Sequence, residues 1–392
     1  MRRVQLHFGR HVHPIYREQL HAVPDCWEYT SAHPGLRDSA APTKRIIERA
    51  GVLGALREPA EALAMRALSE AGYVHTVKAP VEPGVALIHS GERLIRRSPV
   101  PYVLDFEHAT LFVLYQRAAL ERPWARAVLE RALRDPQLRA LLAWSDAARD
   151  SLLAIVSPAT RAVVERKLHT VSPAIRLQAE RPRERRPGEP LRLLLIGTKF
   201  YEKGVVEAVR AVRTQEHVTL DVVTYAPRDW APEPGVTLHE PGGMDVVRAL
   251  YARADALLFP SHMDTFGWVV CEAMAHGLPV LAPRHLALTE TIRDGESGLL
   301  FAPENMLFRE DGSVAFRHVL PPPRRYLQAL REPSEGYVRG IAEAIVRLAA
   351  EPGLHERLAA GAFASVAHGH LSLERRRAAL ADVYAAAILA PV

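Results

Sequence analysis

The chain has 392 residues, 48% of them hydrophobic and 24% charged, with 50 Lys and Arg against 45 Asp and Glu. That length suits two domains, and the composition excludes a largely disordered chain. A net charge of +5 with arginines scattered along the chain allows an anionic partner but excludes the dense basic stripe of a nucleic-acid binder.

The opening MRRVQLHFGRHVHP lacks the apolar core of a signal peptide, and no run approaches the length of a membrane span, so a soluble protein is expected. Cys26 and Cys271 lie in different halves without paired spacing. That pattern speaks against a disulfide framework or a zinc site and for a reduced, cytoplasmic setting. Short apolar runs at Val4–Phe8, Val85–His89, Tyr102–Phe106 and Leu141–Ser145 fit strands buried on both faces of a parallel sheet. Between them, Thr43–Ala71 and Leu111–Arg134 carry helical spacing, an alternation that predicts a doubly wound α/β sheet.

Residues 179–190 are charged and proline-punctuated, and read as a linker between a first domain over 1–178 and a second over 191–368. In the second, strands are expected at Leu191–Gly197, Val218–Thr224, Ala256–Pro260 and Pro279–Ala282, with a turn and short strand at Gly295–Phe301. Helices are expected at Val205–Arg213, Met244–Ala254 and from Trp268 to about His276. Pro303–Pro333 mixes turn signals with a proline run and reads as a long surface insertion. Helical spacing returns over Ile341–Ala350, Leu354–Ala367 and Leu373–Ala387.

Two stretches carry chemistry. In Ile196-Gly-Thr-Lys-Phe-Tyr-Glu-Lys-Gly-Val205 a buried strand ends at Gly197, and Lys203-Gly204 stands where a helix begins. A glycine there admits a ligand close to the backbone, and an ammonium beside helix-start N–H groups is how diphosphates are held. In Pro260–Ala282, Phe266-Gly267-Trp268 opens a second helix start, with Asp264 in the loop before it and Glu272 about two turns along. Glu272 is an acid among Val269, Val270, Cys271, Ala273 and Met274, and a buried carboxylate needs a partner. The spacing of Asp264 and Glu272 does not place them on one helix face as an acid-base dyad, but it suits one acid reaching each end of a ligand with vicinal hydroxyls.

Pro260-Ser261, Asp264, Phe266-Gly267, Glu272-Ala-Met-Ala275, Gly277-Leu-Pro-Val280, Glu290, Asp294-Gly295 and Gly298 resemble the donor-binding region of glycosyltransferase family 4. The Lys203-Gly204 element and Tyr251–Ala256 match as well, so the likeness covers nearly all of the second domain. The resemblance implies the GT-B fold, two Rossmann-like doubly wound domains facing across a cleft, with the closing segment 369–392 crossing back to the first domain. It also implies a retaining, metal-independent hexosyltransferase that moves a glycosyl group from a nucleoside-diphosphate sugar to an acceptor hydroxyl, with no cofactor beyond that donor.

Glu272 would take ribose hydroxyls and Asp264 hydroxyls of the transferred sugar. Phe266, Gly267 and Trp268 would supply backbone contacts, Lys203 would neutralise the diphosphate, and Gly9, Gly197, Thr198 and Lys199 would complete the donor site. Asp264 stands where the family usually has glutamate, and Thr198, followed by Lys199, where it usually has arginine. In the first domain either Glu107 or His108 takes the place of the family's active-site histidine, and His89-Ser-Gly-Glu92 ends a strand that lines the acceptor side.

The acceptor is open among glycans, small molecules and lipid-linked compounds. Arg96, Arg97 and the linker arginines leave room for a peripheral contact at the inner membrane face. The competing readings are a nucleotide-sugar epimerase or sugar phosphorylase on the same fold, and a non-catalytic module that binds nucleotide sugars or glycans.

Overall fold

A computed structural model describes residues 1–8, 13–31, 63–185, 188–231, 233–319 and 322–389. The chain forms two compact units: the first contains Met1–Ala174, Arg309–Pro322 and Leu373–Val392, the second Ile175–Phe308 and Pro323–Ser372.

In the first unit, strands β1 (Arg2–His7), β2 (Trp27–Thr30), β4 (Val85–Gly91), β6 (Tyr102–Phe106), β7 (Leu138–Ala143) and β8 (Leu168–Thr170) form one sheet in the order β2-β1-β4-β6-β7-β8. Every pairing is parallel. A separate two-stranded ribbon joins β3 (Thr76–Val77) to β5 (Leu94–Ile95). The central strands are the apolar runs of the sequence. The flanking β2 and β8 escape that reading because WEYT and LHT are only partly buried and have no continuous apolar stretch.

The expected helix over Leu111–Arg134 is instead a pair of 3-10 turns, Ala109–Val113 and Arg117–Glu121, followed by a helix over Pro123–Leu133. Leu114 and Tyr115 break the run with φ of 54° and 60°. Leu111, Phe112, Val113, Ala118, Ala119 and Leu120 are all buried, so this stretch fills the core on every side and does not present one helical face to it. Of the expected helix over Thr43–Ala71, residues 63–70 are helical and 43–62 lie outside the described residues.

The second unit has β9 (Leu191–Lys199), β10 (Val218–Tyr225), β11 (Val236–His239), β12 (Ala256–Leu258), β13 (Val280–Pro283) and β14 (Gly298–Phe301), all parallel, in the order β11-β10-β9-β12-β13-β14. This is the doubly wound order, whose direction reverses between β9 and β12. Ligands of such sheets bind beyond the carboxyl ends of the strands at that reversal.

Two segments differ from their sequence readings. Residues 179–185 are fastened to the second unit, with Ala179 N–H donating to Ala275 O (3.2 Å) and Arg183 N–H to Gly277 O (3.1 Å). The Arg183 guanidinium donates to Ala252 O (2.7 Å) and Arg253 O (3.0 Å), and that of Arg185 to Ala349 O (3.0 Å). These carbonyls close the helices Met244–Arg253, Trp268–Ala275 and Glu335–Ala350, whose C-terminal ends attract cations.

Pro303–Pro333 is not a surface insertion, because Leu307, Phe308, Val314, Val319, Tyr326 and Leu330 are buried. Its central part belongs to the first unit, where Gly312 O accepts from His108 Nε2 (2.8 Å) and Arg317 O from Ala118 N–H (3.1 Å).

The Leu373–Leu389 helix also packs in the first unit. Leu380, Val383, Tyr384 and Ala387 share a core with Val4, Leu87, Val103, Ala140 and Leu142.

Candidate active site

At the strand reversal of the second unit, the loop after β9 and the loop after β12 meet. A Cβ at Gly197 would lie 2.4 Å from Lys203 Cγ, so the lysine stem rests on the glycine. Gly204 has φ +70°, and a Cβ there would lie 2.2 Å from Pro260 O. Both features demand glycine and bring the start of the Val205–Arg213 helix against the loop after β12.

Lys203 Nζ reaches Asp264 Oδ2 at 2.5 Å, with the two side chains 18% and 19% exposed. The Ser261 hydroxyl donates to the same oxygen, and the ammonium lies 5.5 Å from the Phe259 ring centre. Thr198 is exposed at the end of β9, and Lys199 Nζ lies 3.8 Å from Met263 Sδ. Gly9 lies outside the described residues.

The loop from Pro260 to Asp264 is held from beneath. His262, 1% exposed, places Nε2 2.8 Å from Glu207 Oε1 and Nδ1 2.8 Å from Glu304 O. Both ring nitrogens therefore face oxygen atoms of the protein. Tyr337 OH donates to Pro260 O (3.2 Å), and Leu307 N–H to His262 O (2.8 Å).

Gly267, with φ +79°, starts the Trp268–Ala275 helix without a side-chain cap, as Gly204 does for the Val205–Arg213 helix. Two helix starts, each with its positive dipole end unmasked by a capping side chain, thus follow the two strand-end loops. Phe266 is 3% exposed, and Trp268 is half-buried on the first turn.

Glu272 is half-buried, and its partner is Tyr251, whose hydroxyl donates to Oε2 at 3.2 Å. The Tyr251 ring stacks on His276 at 4.4 Å, and His276 Nδ1 donates to Glu272 O (2.8 Å). Burial, reinforced by the Glu272 charge, pushes the Tyr251 phenol well above its ordinary value, so it remains a donor at any physiological pH.

Three residues of this site carry no role in the sequence reading. Glu207 and His262 are absent from it, and Tyr251 enters only within a matching stretch. The signal for Glu207 was present: it is an acid between Val206 and Ala208 in an apolar helix, the same anomaly that singles out Glu272.

Glu107 and His108 belong to the first unit. The Tyr115 hydroxyl donates to Glu107 Oε1. His108 is 2% exposed; Nδ1 accepts from Thr110 N–H (3.2 Å), while Nε2 donates to Gly312 O. Burial lowers its pKa to about 4, so it stays neutral and caps the turn at Ala109–Val113. Ser145 caps the Asp146–Leu153 helix through Ala148 N–H (3.0 Å).

Residues 190–308, which include Gly197, Lys203, Asp264 and Glu272, match the family Glycosyl transferases group 1. Glycogen synthase of Mycobacterium tuberculosis is 33% identical over 141 residues, 33% of this chain and 33% of that one. D-inositol 3-phosphate glycosyltransferase of Streptomyces bingchenggensis is 31% identical over 155 residues, 39% of this chain and 26% of that one. The matches thus span about a third or less of these curated relatives.

Two solved structures share the fold across nearly the whole chain. Sucrose-phosphate synthase from Thermosynechococcus elongatus has a TM-score of 0.59 at 16% identity and covers 98% of both chains. Anabaena HepE, in complex with UDP and glucose, has a TM-score of 0.60 at 13% identity and covers 98% of this chain and 100% of that one. The chain therefore has the GT-B fold of these structures, and residues 190–308 are similar to group 1 glycosyl transferases.

Proposed function

We propose that the protein is a retaining glycosyltransferase of family 4 that moves a hexosyl group from a nucleoside-diphosphate sugar to an acceptor hydroxyl. The observation that carries this reading is the Lys203–Asp264 pair set beside two helix starts without side-chain caps. A diphosphate is a dianion or more, and an ammonium with helix N-termini is the matching receptor. Asp264, already fixed by Lys203 and Ser261, then faces the sugar attached to that diphosphate, and Glu272 accepts from ribose hydroxyls.

In the reaction the bond between the anomeric carbon and the diphosphate oxygen breaks, and its electron pair goes to that oxygen. The acceptor oxygen bonds to the same face of the carbon and loses its proton to the departing phosphate. Lys203 and the helix starts stabilise the charge that develops on the leaving group, a task that asks for no metal, and the chain has no Asp-x-Asp pair to bridge one. The acceptor is held by the first unit. There Glu107 and His108, at the carboxyl end of β6, are the two alternatives for the acceptor-side role. Cys26 and Cys271, both free, suit a cytoplasmic setting. Among the described residues no helix is long and apolar enough to cross a membrane.

The UDP and UDP-glucose complexes of HepE make UDP-glucose the first donor to test, with GDP- and ADP-glucose beside it. Titration calorimetry and nucleotide release are the readouts. Lys203→Ala is expected to cost at least about a hundredfold in turnover, roughly 2.7 kcal/mol, with the fold unchanged. A folded Lys203→Ala protein that consumes donor at the original rate would sink the reading.

A further inference from the structure

Lys203 and Asp264 come from different strand-end loops, and each is set in place by its own surroundings. A Cβ at Gly197 would lie 2.4 Å from Lys203 Cγ, 2.9 Å from its Cβ and 3.0 Å from its Cδ, so the lysine stem is seated and its freedom lies at the ammonium. The Asp264 carboxylate has a second donor. Ser261 is 2% exposed and its hydroxyl donates to Asp264 Oδ2, while Met263 N–H donates to the Ser261 oxygen (3.4 Å). An ammonium and a neutral hydroxyl thus converge on one carboxylate oxygen.

The 2.5 Å contact from Lys203 Nζ to Asp264 Oδ2 is a charge-assisted bond between side chains 18% and 19% exposed. Water screens such a pair less than it screens charges on an open surface. A ligand anion that needs the ammonium has to compete with Asp264 for it, and its apparent affinity falls in proportion. It also meets the carboxylate as a like charge.

Two ligands that share a diphosphate differ on this point. A nucleoside diphosphate brings negative charge to the pair and nothing that satisfies Asp264 in return. A nucleoside-diphosphate sugar also brings hydroxyl donors, which replace the ammonium on a carboxylate able to accept several hydrogen bonds.

We propose that Asp264 is an internal competitor for Lys203 and so a specificity-determining residue, one that weakens the binding of a bare diphosphate and spares the sugar-linked one. On donor binding Nζ turns from Oδ2 to the diphosphate, Ser261 keeps the carboxylate in place, and sugar hydroxyls donate to it. Once the glycosyl group has been transferred those hydroxyls are gone, Asp264 draws the ammonium back, and the nucleoside diphosphate is released. The part played by the sugar rests on the transferase reading above; the competition for the ammonium rests only on the pair.

The test is calorimetry on the full chain at pH 7 with inorganic pyrophosphate, UDP and UDP-glucose. Asp264→Asn, which keeps the side-chain shape and an oxygen toward Ser261, is expected to bind pyrophosphate and UDP at least about tenfold tighter and UDP-glucose within about threefold of the original protein. Asp264→Ala, with Tm read beside it, repeats the measurement without the amide. The gain has to run through the ammonium, so adding Asp264→Asn to Lys203→Ala is expected to change UDP affinity by less than about threefold, whereas plain charge repulsion keeps the gain. No tightening of pyrophosphate and UDP in either Asp264 variant, an equal gain for UDP-glucose, or a gain that persists without Lys203 overturns the proposal. If pyrophosphate tightens through Lys203 while no nucleotide sugar binds, the transferase reading fails and the competition stands. Turnover of UDP-glucose by the original protein without any gain in Asp264→Asn does the reverse.

Discussion

Glu272 and Glu207 are the same sequence anomaly, an acid in an apolar helix, with different outcomes. Glu207 is 1% exposed and closes on His262, whereas Glu272 is half-buried and takes the phenol of Tyr251. Glu207 serves the scaffold, and under the proposed function Glu272 serves the donor. Glu272→Ala is expected to lower transfer by at least about tenfold, roughly 1.4 kcal/mol, with circular dichroism and Tm unchanged. Loss of the fold in that variant would place Glu272 with Glu207 as a structural acid.

Glu92 gives a prediction in pH. Its folded pKa is about 8 against an ordinary 4.5, so the folded chain holds a proton that the unfolded chain has lost between those values. The associated stability is complete below pH 4.5 and disappears as pH rises towards 8. Glu92→Gln removes that loss, so its Tm should exceed that of the original protein at pH 8 and approach it at pH 5. Scanning calorimetry at the two pH values decides it, and a lower Tm for the variant at pH 8 contradicts the assignment. In the sequence Glu92 is visible as the end of a strand; its left-handed backbone and its company are not, because both come from the pairing of Gly91 with Asp105.

At the scale of elements, the central strands and the site helices were legible because each is an apolar run bounded by Gly or Pro. The Val205–Arg213 and Leu354–Ala367 helices fall at the expected residues. What failed were segments whose residues serve a distant neighbour. Arg183 and Arg185 look like a solvated charge run until the helix ends they cap are known. Val314 and Val319, isolated among turn residues, gain meaning only from the core that buries them.

The loop after β12 is also an element built from afar, since the Lys203–Asp264 geometry depends on His262 being anchored. Glu207→Ala strands a buried imidazole, with an expected stability loss of about 1–3 kcal/mol. It should also raise KM for the donor, while Glu207→Gln, which keeps an oxygen toward Nε2, recovers most of the KM. An unchanged KM in a folded Glu207→Ala protein would show that the loop holds its shape alone.

For the whole molecule, the two sheets are cousins in strand order but are fixed differently. The first depends on a buried cluster in which Arg376 Nη2 and His89 Nε2 meet Asp105 Oδ2, while the Tyr384 hydroxyl lies 2.5 Å from His89 Nδ1 and 3.0 Å from that of Tyr29. Burial alone would raise the Asp105 pKa, but Arg376 and His89 outweigh it and hold the carboxyl below its ordinary value. Its contribution to stability is therefore present above the ordinary carboxylate range and lost as pH falls through the lowered value. Arg376→Leu leaves Asp105 buried beside an imidazole only, at a cost of about 3–5 kcal/mol by thermal or urea unfolding. A loss under 1 kcal/mol would show that His89 suffices.

The position of the Leu373–Leu389 helix also bears on synthesis at the ribosome. Asp105 and the apolar face made by Val4, Leu87, Val103, Ala140 and Leu142 are translated well before the guanidinium and side chains that cover them, Arg376 following Asp105 by 271 residues. The core of the first unit therefore cannot be completed until the second unit has been synthesised between its parts.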